Sequence, residues 1–269
     1  MFCCVSKQHF YRLLGCVLCA AAALTAILAL TSKPDSITVS TQEWGLSFQE
    51  KNEPPVPNLS AEELLPYNTY YCGTSGQKRI YLTFDAGFEN GNMPIILDAL
   101  KKHNATGAFF VVSPFIKENP ELVKRMVNEG HFVCNHTHHH PNMSQKDEAS
   151  FCRELTDVEE AYFELIGKPM LKFYRPPEGK FNNENLQWAK NLGYKTVLWS
   201  LAYKDWVQTA QPSHEDAINK ILSRTHDDAI VLLHSTSSTN AAIMDELLTE
   251  WESLGYSFGT LNELGAVAQ

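Results

Sequence analysis

"RIYLTFDAGFENGNMPIILDALKKHNATGAFFVV", residues 79–112, decides the fold. It opens on a short β-rich run, RIYLTF (79–84), continues as a helical pattern, MPIILDALKKHN (93–104), and ends in a second β-rich run, GAFFVV (107–112). Strand, helix, strand in that order predicts two parallel strands joined by a helical crossover, because a parallel neighbour needs a connection that carries the chain back to its starting end.

The same alternation continues downstream. Further β-rich runs are HFVCN (131–135), LKFY (171–174), YKTVLW (194–199), AIVLLH (229–234) and YSFGT (256–260), with helical patterns such as NPELVKRMVNEG (119–130) and NENLQWAKNLGY (183–194) between them. Asn119 before Pro120 is a cap followed by proline at the first helical position, and Gly130 is a stop. Seven strands, each ahead of a helical pattern, predict the α/β class and a distorted parallel (β/α) barrel of about seven strands, TIM-like. An open doubly wound sheet is the alternative. No G-x-G-x-x-G or P-loop sequence occurs, so no nucleotide site is expected.

Upstream the chain changes character. Lys7 and Arg12 precede an uncharged apolar run, LLGCVLCAAAALTAILALT (13–31), long enough to cross a hydrocarbon core of roughly 30 Å. Basic residues on the N-terminal side predict that this end stays in the cytoplasm, with the remainder outside. A cleaved signal peptide is the rival reading, although the run ends without a clean A-x-A site. The expected division is 1–32 as cytoplasmic tip and membrane anchor, 33–77 as linker and lead-in, and 78–265 as the catalytic domain. NEPPVPNLS (52–60) reads as extended linker, and SAEELL (60–65) as a short helix capped by Ser60.

Composition narrows the partners. A formal net charge of -9 without a Lys/Arg-rich run argues against nucleic acid. Of seven cysteines, only Cys72, Cys134 and Cys152 lie beyond the apolar segment; their spacing suits neither a disulfide framework nor a zinc ribbon.

Four histidines, His136, His138, His139 and His140, crowd the loop after the third strand. Spaced by four, His136 and His140 are expected to share one face of a helical turn and grip one cation, with His138 and His139 pointing elsewhere. A solvated histidine-rich loop is the plain alternative. Asp85 follows the first strand, Arg175 the fourth and Asp205 the fifth, while His234 ends the sixth. In a β/α barrel all these positions open at one face, where side chains distant in sequence converge.

LTFDAG (82–87), HTHHH (136–140), RPPEG (175–179), DW (205–206) and LLH (232–234) resemble, in order, the five motifs of the polysaccharide deacetylases (NodB-homology enzymes, carbohydrate esterase family four). The resemblance covers about residues 78–265. It implies a distorted β/α barrel that removes acetyl groups from N-acetylated sugars with a divalent metal, zinc being the expected ion. It further implies Asp85 as general base, His136 and His140 as metal ligands, and Arg175 as the partner of Asp85. His234 would be the general acid, with Asp205 positioning its ring. Trp199 and Trp206 either fill core or face a sugar.

One position departs from the family. Where its members carry a second aspartate on the metal, this chain has Ala86, and a methyl group coordinates nothing; Glu89 and Asn90 are the nearby substitutes. That departure, with TFDAGFENG (83–91), WSLAYKDW (199–206) and LLHSTSSTN (232–240), resembles the peptidoglycan N-acetylmuramic acid deacetylases of spore-forming bacteria, which serve the muramic δ-lactam of the spore cortex. The expected partners are peptidoglycan glycan strands and, through the N-terminal run, a membrane. The alternatives are an N-acetylglucosamine or chitin-type deacetylase, and a wall-glycan binding protein whose catalysis has decayed.

Overall fold

The computed structural model describes residues 40–265, so the expected membrane segment at 13–31 lies outside the described residues. Among those described, no helix is long and apolar enough to cross a membrane.

All seven expected β-runs form strands, and they join one parallel sheet. Its order is Leu201–Ala202, Ala229–His234, Arg79–Ala86, Gly107–Val111, Phe132–Asn135, Phe173–Tyr174, Lys195–Val197 and Thr69–Tyr70, with Ser257–Phe258 pairing beside the start of Arg79–Ala86. Two pieces escaped the sequence reading. Thr69–Tyr70 is only a pair of residues, and Leu201–Ala202 is a second pair just beyond the fifth run, which itself forms Lys195–Val197.

The expected closed barrel is instead a curled half-barrel. The two edge strands, Leu201–Ala202 and Thr69–Tyr70, do not pair with each other. Strands on that side are two or three residues long, too short for a continuous ladder. The run from 195 to 202 passes from one edge to the other instead: Leu198 N–H donates to Tyr70 O at 2.8 Å, and Ser200 N–H donates to Ile230 O at 3.0 Å.

Local chemistry sets the helix ends. Ser60 and Glu63 form a reciprocal capping box before Ala61–Leu64. Pro120 opens Pro120–Asn128, and Gly130 beyond it takes a left-handed φ of 81°. The helices cover the outer face of the sheet, where Ile80, Leu82, Phe84, Ile96, Leu97, Leu247 and Trp251 form the main apolar layer. A smaller cluster fills the inside of the curl. Cys72, Cys134 and Cys152 are free thiols.

Candidate active site

Strand alternation decides which side chains reach the interior. On Arg79–Ala86, residues Ile80, Leu82, Phe84 and Ala86 face the helices, whereas Tyr81 packs inside with Phe110, Cys134, Val197 and Ile230. Asp85, four residues beyond Tyr81, shares that inner face at the strand's C-terminal end. By the same count His136 stands two beyond Cys134, Arg175 two beyond Phe173, Trp199 two beyond Val197, and His234 four beyond Ile230. Register completes the placement, since His234 lies directly beside Asp85 on the neighbouring strand. Asp85, His136, His140, Trp199, Trp206 and His234 all line one cavity of about 650 Å³.

Arg175 has no exposed surface. Its Nη1 donates to Asp85 Oδ1 at 2.8 Å, Nη2 to Thr83 Oγ1 at 2.8 Å and Leu198 O at 3.2 Å, and Nε to Val197 O at 3.0 Å. The guanidinium also lies over the Phe110 ring, 4.2 Å from its centroid. A partner on each of its three nitrogens is what a buried cation requires. Burial pushes the Asp85 carboxyl upward, but its interactions with His136, Arg175 and His234 together outweigh burial and hold it below the usual carboxylate range. Oδ1 is taken by Arg175, so Oδ2 is the oxygen left to accept a proton.

His234 has a different environment. Asp205, almost fully buried, accepts from His234 Nδ1 at 2.7 Å and from its backbone N–H at 2.8 Å. That fixes the tautomer and leaves Nε2 for the cavity. Burial pulls the imidazole down, yet the Asp205 hydrogen bond and charge, with Asp85 adding to them, raise its pKa above the ordinary histidine value. A carboxylate held low and an imidazolium held high therefore share one cavity, the arrangement an acid and base pair needs.

The expected helical turn at 136–140 is absent. Residues 136–140 form a loop with two left-handed non-glycine residues, Thr137 (φ 72°) and His140 (φ 59°). Thr137 Oγ1 accepts from His140 N–H at 2.9 Å and folds the loop back on itself. This reversal, and not helical spacing, brings the His136 and His140 rings to 4.8 Å between centroids. His139 turns outward, its Nδ1 3.2 Å from Glu154 Oε1. His136 Nδ1–H donates to Arg175 O at 2.9 Å, and burial pulls the ring's pKa down to about 4 despite Asp85. At neutral pH its Nε2 is therefore a bare lone pair, 3.4 Å from Asp85 Oδ2.

Two acceptor atoms facing each other with no proton between them suit a cation. Yet among the described residues no group of three or more His, Cys, Asp or Glu is arranged to hold a metal ion. Ala86 is fully buried in the apolar layer. Glu89 turns back to accept from Gly91 N–H, and Asn90 donates to Thr236 O at 2.8 Å. The donor set fits an open site on two imidazoles, below the three protein ligands that a catalytic zinc usually holds.

The rim holds the expected Trp206 and residues that motif reading missed. Trp206 and the unexpected Phe88 are about half exposed at the cavity. Glu43 and Trp44 supply a wall from far upstream, Gln42–Glu43 pairing antiparallel with Lys180–Phe181. Trp44 Nε1–H donates to Trp199 O at 2.9 Å. Glu178 sits in the cavity at a left-handed φ of 57° and pairs with Lys180. An unexpected tryptophan at 44 was the one visible signal for this wall.

The chain belongs to the polysaccharide deacetylase family, whose profile matches residues 73–197. It is 38% identical over 250 residues to the peptidoglycan-N-acetylmuramic acid deacetylase PdaA of Bacillus subtilis (strain 168), covering 93% of this chain and 94% of that protein. The solved structure of B. subtilis PdaA, a family 4 carbohydrate esterase, superposes with a TM-score of 0.80 at 38% identity, over 85% of this chain and 98% of that one. A peptidoglycan-N-acetylglucosamine deacetylase of Bacillus cereus is 33% identical over 195 residues, 71% of this chain and 89% of that protein.

Proposed function

We propose that this chain hydrolyses the acetamide of N-acetylmuramic acid residues in peptidoglycan, on the route to the muramic δ-lactam of the spore cortex. The observation that carries the reading is the side-by-side placement of Asp85 and His234 on paired strands, each tuned by its own partner and both facing one cavity. Similarity to PdaA over nearly the whole of both chains supports muramic acid as the sugar.

In the reaction, Asp85 Oδ2 takes a proton from the attacking water while Arg175 holds the other oxygen. His234 Nε2–H passes a proton to the departing nitrogen as the carbon–nitrogen bond breaks, giving acetate and the free amine. Asp205 steadies the ring throughout. His136 and His140 would hold a divalent cation, zinc being the expected one, and when bound it polarises the acetyl carbonyl and offsets the developing negative charge. Trp199 and Trp206 offer apolar faces to the sugar.

We assign the catalytic unit to 78–265, with 1–32 as anchor or signal segment and 33–77 as its connection, Glu43 and Trp44 from that connection walling the cavity. Lys7 and Arg12 ahead of the 13–31 run support a catalytic domain outside the cytoplasmic membrane. Incubating the chain with peptidoglycan and measuring released acetate tests the reaction. A second reading, N-acetylglucosamine as the sugar, is favoured by the B. cereus relative and is separated by identifying which sugar gains the amine.

A further inference from the structure

We propose that Asn240 is a positioning residue for the acid half of the site: its side-chain amide, locked by Tyr203, fixes the Asp205 carboxylate that orients His234. The proposal deepens the functional reading above and rests on His234 acting as proton donor.

Asn240 lies in the first turn of the helix Ser238–Ser253 and has no exposed surface. Its Nδ2 donates to Asp205 Oδ2 at 2.6 Å and to His234 O at 3.1 Å. Its Oδ1 accepts from the Tyr203 hydroxyl. Turning the amide over would set an oxygen against the Asp205 carboxylate, so the charge at 205 and the hydroxyl at 203 together impose one orientation. The backbone beneath is tied as well: Ser237 Oγ accepts from Asn240 N–H at 3.1 Å and donates to Gln211 Oε1 at 2.5 Å. Gln211 Nε2 in turn donates to Asp205 O at 2.6 Å.

These bonds divide the labour between the two carboxylate oxygens. Oδ2 takes His234 N–H and Asn240, leaving Oδ1 for the imidazole Nδ1–H. Without Asn240 the carboxylate keeps its place only through the histidine it is meant to orient. The charged groups facing His234 are then Asp205 from the segment after Leu201–Ala202, Asp85 from the neighbouring strand, and Arg175 behind Asp85. The Trp206 ring, 5.6 Å away, adds no charge. Of these only Asp205 touches Asn240, and Asn240 meets His234 itself only at its backbone carbonyl, so the effect of residue 240 on the imidazole's charge passes through one carboxylate.

The test compares the full-length chain with Asn240→Ala and Tyr203→Phe on denuded peptidoglycan glycan strands, following acetate release against pH. Asn240→Ala should lower kcat roughly 10–100-fold with KM unchanged, the range seen when a partner behind a site residue is removed. With one donor fewer on the Asp205 carboxylate, more of its negative charge acts on the imidazolium, so the alkaline limb should move to higher pH; Tyr203→Phe should move it the same way by less. Tyr203→Phe deletes a single oxygen and stands in if Asn240→Ala fails to fold. An alkaline limb unchanged in the folded variants would overturn the proposal, reducing Asn240 to a structural residue. Nitrogen NMR of the His234 ring, titrated without substrate, reads the same coupling. A wild-type chain that releases no acetate yet shows the NMR shift would sink the functional reading and leave the network standing.

Discussion

Replacing Arg175 with methionine keeps most of the side-chain volume and deletes the buried cation. Its loss leaves Asp85 Oδ1, Val197 O and Leu198 O without the donors they have now. Breaking a buried ion pair by removing one partner costs about 3–5 kcal/mol, a large share of the roughly 5–15 kcal/mol that holds a domain folded. At about 2–4 °C per kcal/mol for a domain of this size, the thermal midpoint should fall roughly 6–20 °C. Activity gives an independent readout. As the proposed base, Asp85 works only when ionised, so the rate should fall as pH drops through its lowered pKa. Without Arg175 burial regains weight against the remaining positive groups, and the acid limb should move to higher pH. The stability that depressed pKa contributes, present above the unfolded value and lost in acid, should shrink with it. Thermal unfolding followed by circular dichroism, together with a pH–rate profile of the same sample, checks both. An unchanged midpoint and an unchanged acid limb would refute the assignment of Arg175 as the group that keeps Asp85 charged.

Asp85→Asn and His234→Ala should each lower turnover roughly 10²–10⁴-fold, the contribution of a positioned base or acid, and steady-state acetate release measures it. In the intact chain the rate should also fall at high pH as His234 loses its proton, above the ordinary histidine range because Asp205 holds its pKa up against burial. Zinc should bind weakly and be stripped readily by chelator, and His136→Ala combined with His140→Ala should abolish binding in calorimetric titration. Phe88→Ala and Trp206→Ala should each raise KM roughly 2–10-fold with kcat little changed, the size of one aromatic contact; equal losses in kcat would place those rings in the chemistry instead.

Much of the fold was legible because strand patterning is local. RIYLTF reads as a strand with Asp85 at its C-terminal end, and His136, Arg175 and His234 fall at strand ends in the same way. Both faces of that strand are buried, so only the structure assigns Asp85 to the interior and Ala86 to the helix layer. What resisted reading depends on contacts between distant segments. The left-handed Thr137 and His140 look like any other residues in sequence, so spacing alone suggested a helical turn where a folded-back loop stands. Barrel closure failed on strands of two or three residues, lengths at which propensity says little. Glu43 and Trp44 reach the cavity only because Gln42–Glu43 pairs with Lys180–Phe181, far downstream. Asn240 is one polar residue among several in STSSTN (235–240), and only the fold reveals that it touches Asp205.

Asp85 and His234 are proposed to remove an acetyl group from the muramic acid of peptidoglycan. Mass analysis of denuded glycan strands, incubated with the chain and then cut into disaccharides, tests it most directly. The expected products are fragments lighter by one acetyl group, with the new amine on the muramic sugar, and none from the Asp85→Asn variant. Strands of unchanged mass, or an amine appearing only on glucosamine, would contradict it.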